Sequence, residues 1–291
     1  MKRLLVTAAI LLTACSGGET ETIETVEVET QPVATSQSVE APMSLADAIA
    51  HPRRADDAAR DRFRNPAPTL EFFEIAPGQT VAEIWPGWYT QILAPYLSDN
   101  DGTYVAVLYP DGVSERVDQR NAAFKEKFGD QSAYGDVGYG SFSKDTGLSL
   151  DDNSVDTILT FRNVHNWMGG GYAEEAFAEF YRALRPGGML GVVEHRLPET
   201  RTQDPKGGTG YVQESYMKAL AKDAGFEFVE SSDVNANPLD TADHPMGVWT
   251  LPPSSRTPDE GAPEANGFDA ELYTNIGESD RATLKFRKPA E

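Results

Sequence analysis

Cysteine is almost missing from this chain, which has one, Cys15, among 291 residues. A single cysteine excludes an intramolecular disulfide and a zinc site built from several thiolates. Basic residues are also few, since 25 Lys and Arg accompany 46 Asp and Glu and leave a formal net charge of −21. That balance argues against binding to nucleic acid or to an anionic membrane surface, because both need clusters of basic side chains.

Several catalytic motifs are absent as well. No G-x-G-x-x-G follows the first predicted strand, no G-x-S-x-G occurs, and the four histidines lack the H-E-x-x-H spacing. These absences argue against dinucleotide-dependent hydride transfer, serine-hydrolase chemistry and a zincin-type metal centre. We therefore expect no metal, although a metal site built from His165, His195 and neighbouring carboxylates remains an open alternative.

Long apolar runs are lacking after residue 15, where no stretch reaches the roughly 18 residues that a membrane span needs. Before it, Lys2 and Arg3 precede a short apolar run over residues 4–12, which is the layout of an export signal. Residues 12–15 read Leu-Thr-Ala-Cys and resemble the bacterial lipobox, which implies lipidation at Cys15. Because Ser16 rather than Asp follows, the resemblance implies an exported protein on the periplasmic face of the outer membrane.

Residues 16–43 contain six glutamates, no Lys or Arg and no aromatic residue. Such a segment repels itself and buries little apolar surface, so we expect a disordered acidic tether. The composition changes at Ser44, and residues 44–291 are expected to form the folded domain.

Strand-like and helix-like patterns alternate along residues 44–291. Residues 44–47 read as a capping box that opens a helix, and Ala173, Ala176, Phe177 and Phe180 follow the spacing of an amphipathic helix. Strands separated by helices indicate parallel crossovers, so the expected fold is α/β, a doubly wound Rossmann-like sheet of about seven strands with flanking helices. Residues 235–278 form an insertion before the last strand, and we expect them to cover the site. The expected strands are 80–85, 102–109, a weak 133–135, 155–161, 189–194, 226–230 and 282–286.

The carboxyl ends of these strands collect the unusual side chains, and ligands of doubly wound sheets bind beyond those ends. His195 is the first candidate for a general base and His165 the second, because a neutral imidazole accepts a proton near neutral pH. We expect Glu194 or a nearby carboxylate to hold the His195 tautomer, and Arg196 to orient an anionic substrate. The residues at or just beyond these ends are Glu83, Trp85, Gly87, Asp111, Arg162, Asn163, His165, Asn166, Trp167, Glu194, His195 and Arg196.

The segments EIWPGWYTQILAPYL, FRNVHNW, LRPGGMLGVVEHR, DHPMGVWTLPP and GESDRATLKF resemble a bacterial "predicted methyltransferase" family from about Ala48 to Pro289. The strand order, the acid before a glycine turn and the Leu-Arg-Pro-Gly-Gly segment also resemble class I S-adenosylmethionine-dependent methyltransferases. The resemblance implies S-adenosylmethionine as cofactor, with Asp111 on the ribose. The cofactor-binding residues that it implies are Glu83, Trp85, Gly87, Tyr89, Asp111 and Asn163.

Strand four lacks the Asn/Asp-Pro-Pro-Tyr pattern, and a second cysteine is missing, so a small-molecule acceptor is left by elimination. The family has a longer glycine run where this chain has Gly87 alone, followed by Trp88 and Tyr89, whose rings either cover the cofactor or fill its place. An exported small-molecule-binding protein or pseudo-enzyme on the same fold is therefore the alternative to a methyltransferase. The expected substrate-binding residues are Arg162, Asn166, Trp167, Asn237, His244 and Trp249.

Overall fold

The computed structural model describes residues 41–290, and an eight-stranded sheet forms its centre. The signal, the lipidation site Cys15 and nearly all of the predicted tether lie outside the described residues. The strands are β1 (Thr80–Ile84), β2 (Thr103–Leu108), β3 (Val137–Ser143), β4 (Gly147–Leu148), β5 (Val155–Phe161), β6 (Leu184–His195), β7 (Glu227–Ser232) and β8 (Arg281–Arg287).

Ten α-helices accompany the sheet in residues 41–290, together with four short 3₁₀ turns. In the same part of the chain no helix is both long and apolar enough to cross a bilayer. The helices are α1 (Leu45–Ala50), α2 (Asp61–Arg64), α3 (Pro66–Phe72), α4 (Thr90–Asp99), α5 (Glu115–Phe128), α6 (Gln131–Tyr134), α7 (Val164–Gly170), α8 (Ala173–Ala183), α9 (Glu214–Asp223) and α10 (Ala270–Ile276).

The strand order is β4-β3-β2-β1-β5-β6-β8-β7. The five strands from β3 to β6 in this order run parallel, whereas β8 is antiparallel to β6 and β7, and β4 is antiparallel to β3. From β1 the chain builds outward to β3 and then crosses back to β5, so the order reverses between β1 and β5. Such a reversal opens a crevice beyond the carboxyl ends of the strands.

Apolar side chains cover both faces of the sheet, as the predicted doubly wound fold requires. On one face α8 buries Ala173, Ala176, Phe177 and Phe180, the stripe that its sequence spacing predicted. On the other face α4 buries Ile92, Leu93 and Leu97. The fold class expected from the sequence is therefore confirmed.

The third strand lies at other residues than the sequence predicted. Residues 133–135 fall at the end of α6, whose first turn is capped by Asp130 Oδ1 accepting from the Ser132 N–H at 3.0 Å. The strand itself, β3, begins at Val137 and contains two glycines, which interrupt the alternation that marks a strand. The eighth strand, β4, is only two residues long and pairs with the end of β3.

The folded region also begins slightly earlier than expected. The Met43 carbonyl accepts a hydrogen bond from Asn100 Nδ2 at 2.8 Å, at the end of α4. The last residue of the predicted tether, Met43, therefore already contacts the folded domain. Ser44 caps α1 in a reciprocal capping box with Asp47, as the sequence predicted.

Candidate functional site

Two cavities open at the carboxyl edge of the parallel strands, and Asn166 lines both of them. The first, here called the Trp85 cavity, has a volume of about 250 Å³. The second, called the Arg162 cavity, has a volume of about 240 Å³. The Trp85 cavity is lined by Trp85, Pro86, Leu108, Tyr109, Arg120, Asn121, Phe124, Asn163 and Asn166. The Arg162 cavity is lined by Arg162, His165, Asn166, His195, Val248, Trp249, Leu251, Pro252, Pro253, Ser254, Glu278 and Ser279.

Trp85 follows β1 directly and holds a left-handed backbone with φ of 49°. This conformation is uncommon for a bulky residue and tends to occur where function requires it. The indole stacks on the Tyr109 ring with centroids 4.1 Å apart, and its Nε1 donates to the Phe142 carbonyl at 3.2 Å. Trp85 is thus placed at the crevice, as predicted for a cofactor-binding residue.

Asn163 lies opposite, just after β5, and is buried. Its Nδ2 donates to the Ile84 carbonyl at 3.0 Å and to Thr160 Oγ1 at 3.1 Å. These bonds tie the end of β5 to the end of β1 and fix the amide at the cavity wall. Asn163 thus lines the Trp85 cavity, at the strand edge where the sequence analysis expected it.

Helix α5 supplies three lining residues that the sequence analysis missed: Arg120, Asn121 and Phe124. The available signal was the spacing of Arg120 and Phe124, which are four apart on the helix that follows β2 and so share a face. Asn121 is held in place because its Nδ2 donates to the Tyr109 carbonyl at 2.9 Å and to Asp111 Oδ1 at 2.7 Å.

Asp111 does not line the Trp85 cavity, contrary to its predicted contact with a ribose. Its carboxylate is exposed and accepts hydrogen bonds from Asn121 and Lys125, which lower its pKa. The strand end that should carry the acid stops at Leu108, so Asp111 sits in the following turn, behind Asn121. It is a positioning residue for Asn121 in this structure.

Glu83 is also buried behind the crevice rather than within it. Its Oε2 accepts from the Tyr104 hydroxyl at 2.6 Å and from Thr90 Oγ1 at 3.3 Å, and its Oε1 accepts from the Gly87 N–H at 3.3 Å. Burial raises its pKa to about 7, although these hydrogen bonds oppose the shift. Glu83 therefore shapes the turn after β1 and does not itself line either cavity.

Trp88 and Tyr89 neither cover nor fill the crevice, so both outcomes expected for their rings are wrong. Both are buried against the N-terminal segment: the Trp88 Nε1 donates to the Asp57 carbonyl at 3.3 Å, and the Tyr89 hydroxyl donates to the Arg64 carbonyl at 2.6 Å. Tyr89 stacks on Phe161 with centroids 4.0 Å apart. The turn directs both rings to the opposite side because α4 begins at the next residue.

Gly87 leaves open space at the turn. A Cβ built at this position would meet no atom of residues 41–290 within 4 Å, and its φ is not left-handed. The backbone at this exposed turn is thus unhindered, although Gly87 itself lines neither cavity.

Arg162 follows β5 directly and, like Trp85, is a left-handed non-glycine residue, with φ of 64°. Within residues 41–290 its side chain makes no ion pair and no hydrogen bond, although it lines the Arg162 cavity. Burial, followed by the charge of Arg281, lowers its pKa to about 10, so the guanidinium stays charged at neutral pH.

Three further arginines surround the single carboxylate of Glu278 beside this cavity. Glu278 accepts from Arg60 Nε at 2.7 Å, from Arg64 Nε at 3.1 Å and from Arg281 Nη2 at 2.7 Å. The Nη2 atoms of Arg60 and Arg64 are buried without a hydrogen-bond partner in the described residues. The cluster therefore holds more positive charge and more donors than its one carboxylate satisfies.

The two predicted bases, His165 and His195, lie side by side with ring centroids 5.6 Å apart. His195 Nδ1 is hydrogen-bonded to Ser279 Oγ at 2.5 Å, whereas His165 Nδ1 lies 3.1 Å from Glu194 Oε1. Burial, followed by the charges of His165 and Arg162, holds the His195 pKa well below its usual value.

Glu194 orients His165 and not the His195 ring, contrary to the prediction. The fully buried carboxylate accepts from the backbone N–H of His195 at 2.8 Å and from the backbone N–H of His165 at 3.3 Å. The Glu194 carboxylate comes within 4.8 Å of a His195 ring nitrogen, but its hydrogen bond to this residue goes to the backbone N–H. Ser279, which the sequence analysis missed, takes that place; it lies in the quoted segment GESDRATLKF.

One side of the Arg162 cavity could also hold a metal ion by geometry alone. One ligand atom from each of His165, Glu194 and His195 lies within 4.8 Å of the others. Two imidazoles and one carboxylate suit several divalent metals. The charges of Arg162 and Arg281 depress the His195 pKa, and the same positive potential disfavours a divalent cation. The local electrostatics therefore favour an anion.

Arg196 lies outside both cavities, contrary to its predicted role of orienting an anionic substrate. Its guanidinium pairs with Asp280 at 2.8 Å, Asp233 at 2.8 Å and Glu214 at 3.2 Å, and these carboxylates raise its pKa. Because it follows His195 at the end of a strand, its side chain emerges on the other face of the sheet. Its charge is already neutralised there.

Three other predicted substrate-binding residues are structural. Trp167 is fully buried in the aromatic core beneath α7. His244 is buried with its Nε2 2.7 Å from Asp240 Oδ1. Asn237 lines a different cavity and donates to the carbonyls of Ile276 and Glu278 at 2.9 and 2.8 Å.

The insertion over residues 235–278 contributes one wall of the Arg162 cavity. Val248, Trp249 and residues 251–254 line it, and the Trp249 ring stands edge-on to His165 with centroids 6.0 Å apart. Residues 256–267 are mostly exposed and line neither cavity. The structure therefore brings Arg162, His165, Asn166, His195 and Trp249 together.

Part of this chain matches the model of a known protein family. Residues 87–192 match the family described as "Methyltransferase domain". No curated protein matches this chain.

Solved structures share the fold at low sequence identity. The [4+2]-cyclase SpnF is 19% identical, with 78% of this chain and 81% of that chain covered and a TM-score of 0.50. A S-adenosylmethionine-dependent methyltransferase from Aquifex aeolicus is 20% identical, with 66% and 93% covered and a TM-score of 0.46. A putative methyltransferase from Bacillus halodurans is 17% identical, with 77% and 98% covered and a TM-score of 0.48. At 19% identity, the similarity to SpnF shows the fold alone and not a shared activity or substrate.

Proposed function

We propose that this chain, which carries a methyltransferase domain on a Rossmann-like methyltransferase fold, transfers a methyl group from S-adenosylmethionine to a small molecule. The observation that carries the proposal is the pair of adjoining cavities beyond β1 and β5, with Asn166 in the wall of both. A donor in one cavity and an acceptor in the other would meet at Asn166. Holding two reactants next to each other in the right orientation lowers the barrier of such a reaction.

The Trp85 cavity suits the cofactor. Aromatic and apolar side chains, among them Trp85, Tyr109 and Phe124, can contact a nucleobase, and the amides of Asn121 and Asn163 can bond to hydroxyl groups. The open space at Gly87 admits a ligand close to the backbone. When bound, S-adenosylmethionine supplies an electrophilic methyl group.

His195 is the proposed general base in the Arg162 cavity. Its Nδ1 is engaged by Ser279, so Nε2 is the nitrogen left for the acceptor, provided that Nδ1 donates its proton to Ser279 Oγ. The depressed pKa of His195 keeps the imidazole neutral at neutral pH, ready to take the proton that an acceptor hydroxyl or amine releases. His165, held by Glu194, is the second candidate.

The alternative, a binding protein or pseudo-enzyme, is favoured by one observation. Among the described residues, no carboxylate lines the Trp85 cavity, where the family resemblance implies an acid on the ribose. Stacking of Trp85 on Tyr109 also takes up part of the crevice. Loss of the cofactor would leave the Arg162 cavity as a plain binding site.

Calorimetric titration of the full chain with S-adenosylmethionine separates the two. We expect saturable binding that Trp85→Ala weakens about tenfold, near 1.4 kcal/mol. Trp249→Ala is the matched control, because this indole lines only the other cavity and its loss should leave the cofactor affinity unchanged. No binding by the unaltered chain would favour the pseudo-enzyme.

We also propose where in the cell the protein is located. The Leu-Thr-Ala-Cys box and the acidic segment 16–43 support an exported protein, lipid-anchored at Cys15 on the periplasmic face of the outer membrane. The anchor is the only membrane contact proposed. Two acyl chains suffice to hold a soluble domain at a bilayer.

A further inference from the structure

Of the four arginines at the site, Arg162 alone has neither an ion-pair nor a hydrogen-bond partner for its side chain within residues 41–290. It lines a cavity, carries a full charge at neutral pH and has no carboxylate or carbonyl partner in residues 41–290. Buried and partly buried arginines are normally paired, since an uncompensated charge is costly to remove from water. Arg162 also adopts a left-handed backbone conformation, which is strained for any residue other than glycine. A group held under these conditions points to a ligand that supplies the missing partner.

The surroundings specify the sign of that ligand. Arg60, Arg64 and Arg281 share Glu278 alone, so together with Arg162 four positive charges face one carboxylate at this end of the cavity. Glu194 adds a second negative charge, but its oxygens are engaged by His165 and two backbone N–H groups. The unsatisfied Nη2 atoms of Arg60 and Arg64 indicate the same deficit of acceptors. An anion would reduce this imbalance, whereas a metal ion would increase it.

We infer that the acceptor of the methyl group carries a carboxylate, and that the Arg162 guanidinium binds this group inside the Arg162 cavity. The inference rests on the proposed function only where it calls the bound molecule the methyl acceptor. The anion site itself does not depend on methyl transfer. A guanidinium matches a carboxylate through two parallel N–H donors, which gives both affinity and orientation.

The cavity also limits the size and shape of the acceptor. A volume of about 240 Å³ suits a molecule of the size of a ring bearing one carboxylate. Trp249 supplies an aromatic surface on the wall that the insertion forms, and His195 lies on the same cavity. A carboxylate on Arg162 would leave the rest of the molecule between Trp249 and His195, with its reactive hydroxyl or amine near the base.

The test uses pairs of probes that differ in charge and hardly in shape: salicylate with salicylamide, benzoate with benzamide, and acetate with acetamide. Each is titrated into the full chain by calorimetry, with S-adenosylmethionine titrated separately. We expect at least one carboxylate to bind about tenfold more tightly than its amide, because hydrogen bonds to charged groups contribute most. In Arg162→Gln that preference should disappear, and in Arg162→Lys it should persist in part, because a lysine makes no bidentate contact.

Arg62→Gln is the matched control. Arg62 is an exposed arginine without an ion pair in the described residues and lines a different cavity, so its loss changes the net charge equally. This variant should keep the preference for the carboxylate. Near-ultraviolet circular dichroism of each variant establishes that the fold is retained.

The outcomes separate the inference from the proposed function. If no carboxylate is preferred over its amide by the unaltered chain, the anion site is wrong. If Arg162→Gln weakens S-adenosylmethionine binding and leaves the carboxylate preference intact, Arg162 serves the cofactor's own carboxylate and the inference is overturned. If the preference depends on Arg162 while S-adenosylmethionine fails to bind, the anion site stands and the methyltransferase proposal fails.

Discussion

Glu83 couples the turn after β1 to pH. Its folded pKa of about 7 lies above the ordinary value of 4.5, because the carboxyl is fully buried. Between pH 4.5 and 7 this carboxyl group is therefore protonated in the folded state and ionised in the unfolded state. As a result, the free energy of unfolding falls as pH rises from about 4.5 to 7.

We expect Glu83→Gln to remove this decline, which amounts to roughly 3 kcal/mol. The amide is of similar shape and keeps one oxygen for the Gly87 N–H. Urea unfolding of both proteins at a series of pH values measures the difference. Parallel stability curves for the two proteins would show that Glu83 is not the titrating group.

His195 should determine the pH dependence of turnover. Its depressed pKa means that the imidazole remains a neutral base below pH 6.5, so activity should persist into mildly acidic solution. His195→Gln is expected to lower turnover about a hundredfold and to leave cofactor binding unchanged. Arg162→Gln removes a nearby positive charge, and the acidic limb of the pH–rate profile should then move to higher pH. A limb that stays in place in Arg162→Gln would contradict this electrostatic link between the two residues.

At the scale of elements, the insertion between β7 and β8 divides into a part that lines the site and a part that does not. Trp249 lies at the cavity, whereas Asp259 and Glu260 are exposed on the stretch that follows. Trp249→Ala should weaken the binding of an aromatic carboxylate such as salicylate about tenfold, since it removes an apolar wall.

The matched control at this scale is the double variant Asp259→Ala, Glu260→Ala, which removes exposed side chains and should bind salicylate as the unaltered chain does. Equal weakening in the two variants would mean that the insertion acts through its fold and not through the indole. Calorimetry with salicylate measures both.

At the scale of the whole molecule, the chain carries a strong net negative charge, whereas the site contains a cluster of arginines. The formal net charge of −21 repels anions at long range, and within one Debye length the cluster attracts them. Carboxylate binding should therefore tighten as added salt screens the distant charges and weaken again at high ionic strength. The net negative charge of the chain favours solubility, and the positive charge of the arginine cluster favours binding of a carboxylate.

The proposed lipid anchor would make the location of the whole molecule depend on Cys15. Cys15→Ser should abolish lipidation, so the protein should appear in the soluble fraction or keep its signal, while the unaltered protein partitions with the outer membrane. Fractionation and the intact mass of the mature protein report both. A variant that stays in the membrane at the mature mass of the unaltered protein would refute the lipid anchor.

The sequence by itself determined the architecture and the edge at which the site forms. Periodic apolar residues identified β1, β2, β5, β6 and α8, because burial of a strand or a helix face leaves a pattern that is local in the chain. The residues after those strands then had to meet, since parallel strands end at one edge, and this placed Arg162, His165 and His195 together in advance.

Only the tertiary structure decided which of the neighbouring side chains face the cavities. Asn166 lines both cavities while Trp167 enters the core, because one residue of a helix turns the side chain by about 100°. His195 lines a cavity while Arg196 meets three carboxylates on the other face, because successive strand residues alternate. Arg60 and Arg64 reach Glu278 from more than 200 residues earlier in the chain, and Ser279 lies 84 residues after His195, so no local pattern could have joined them.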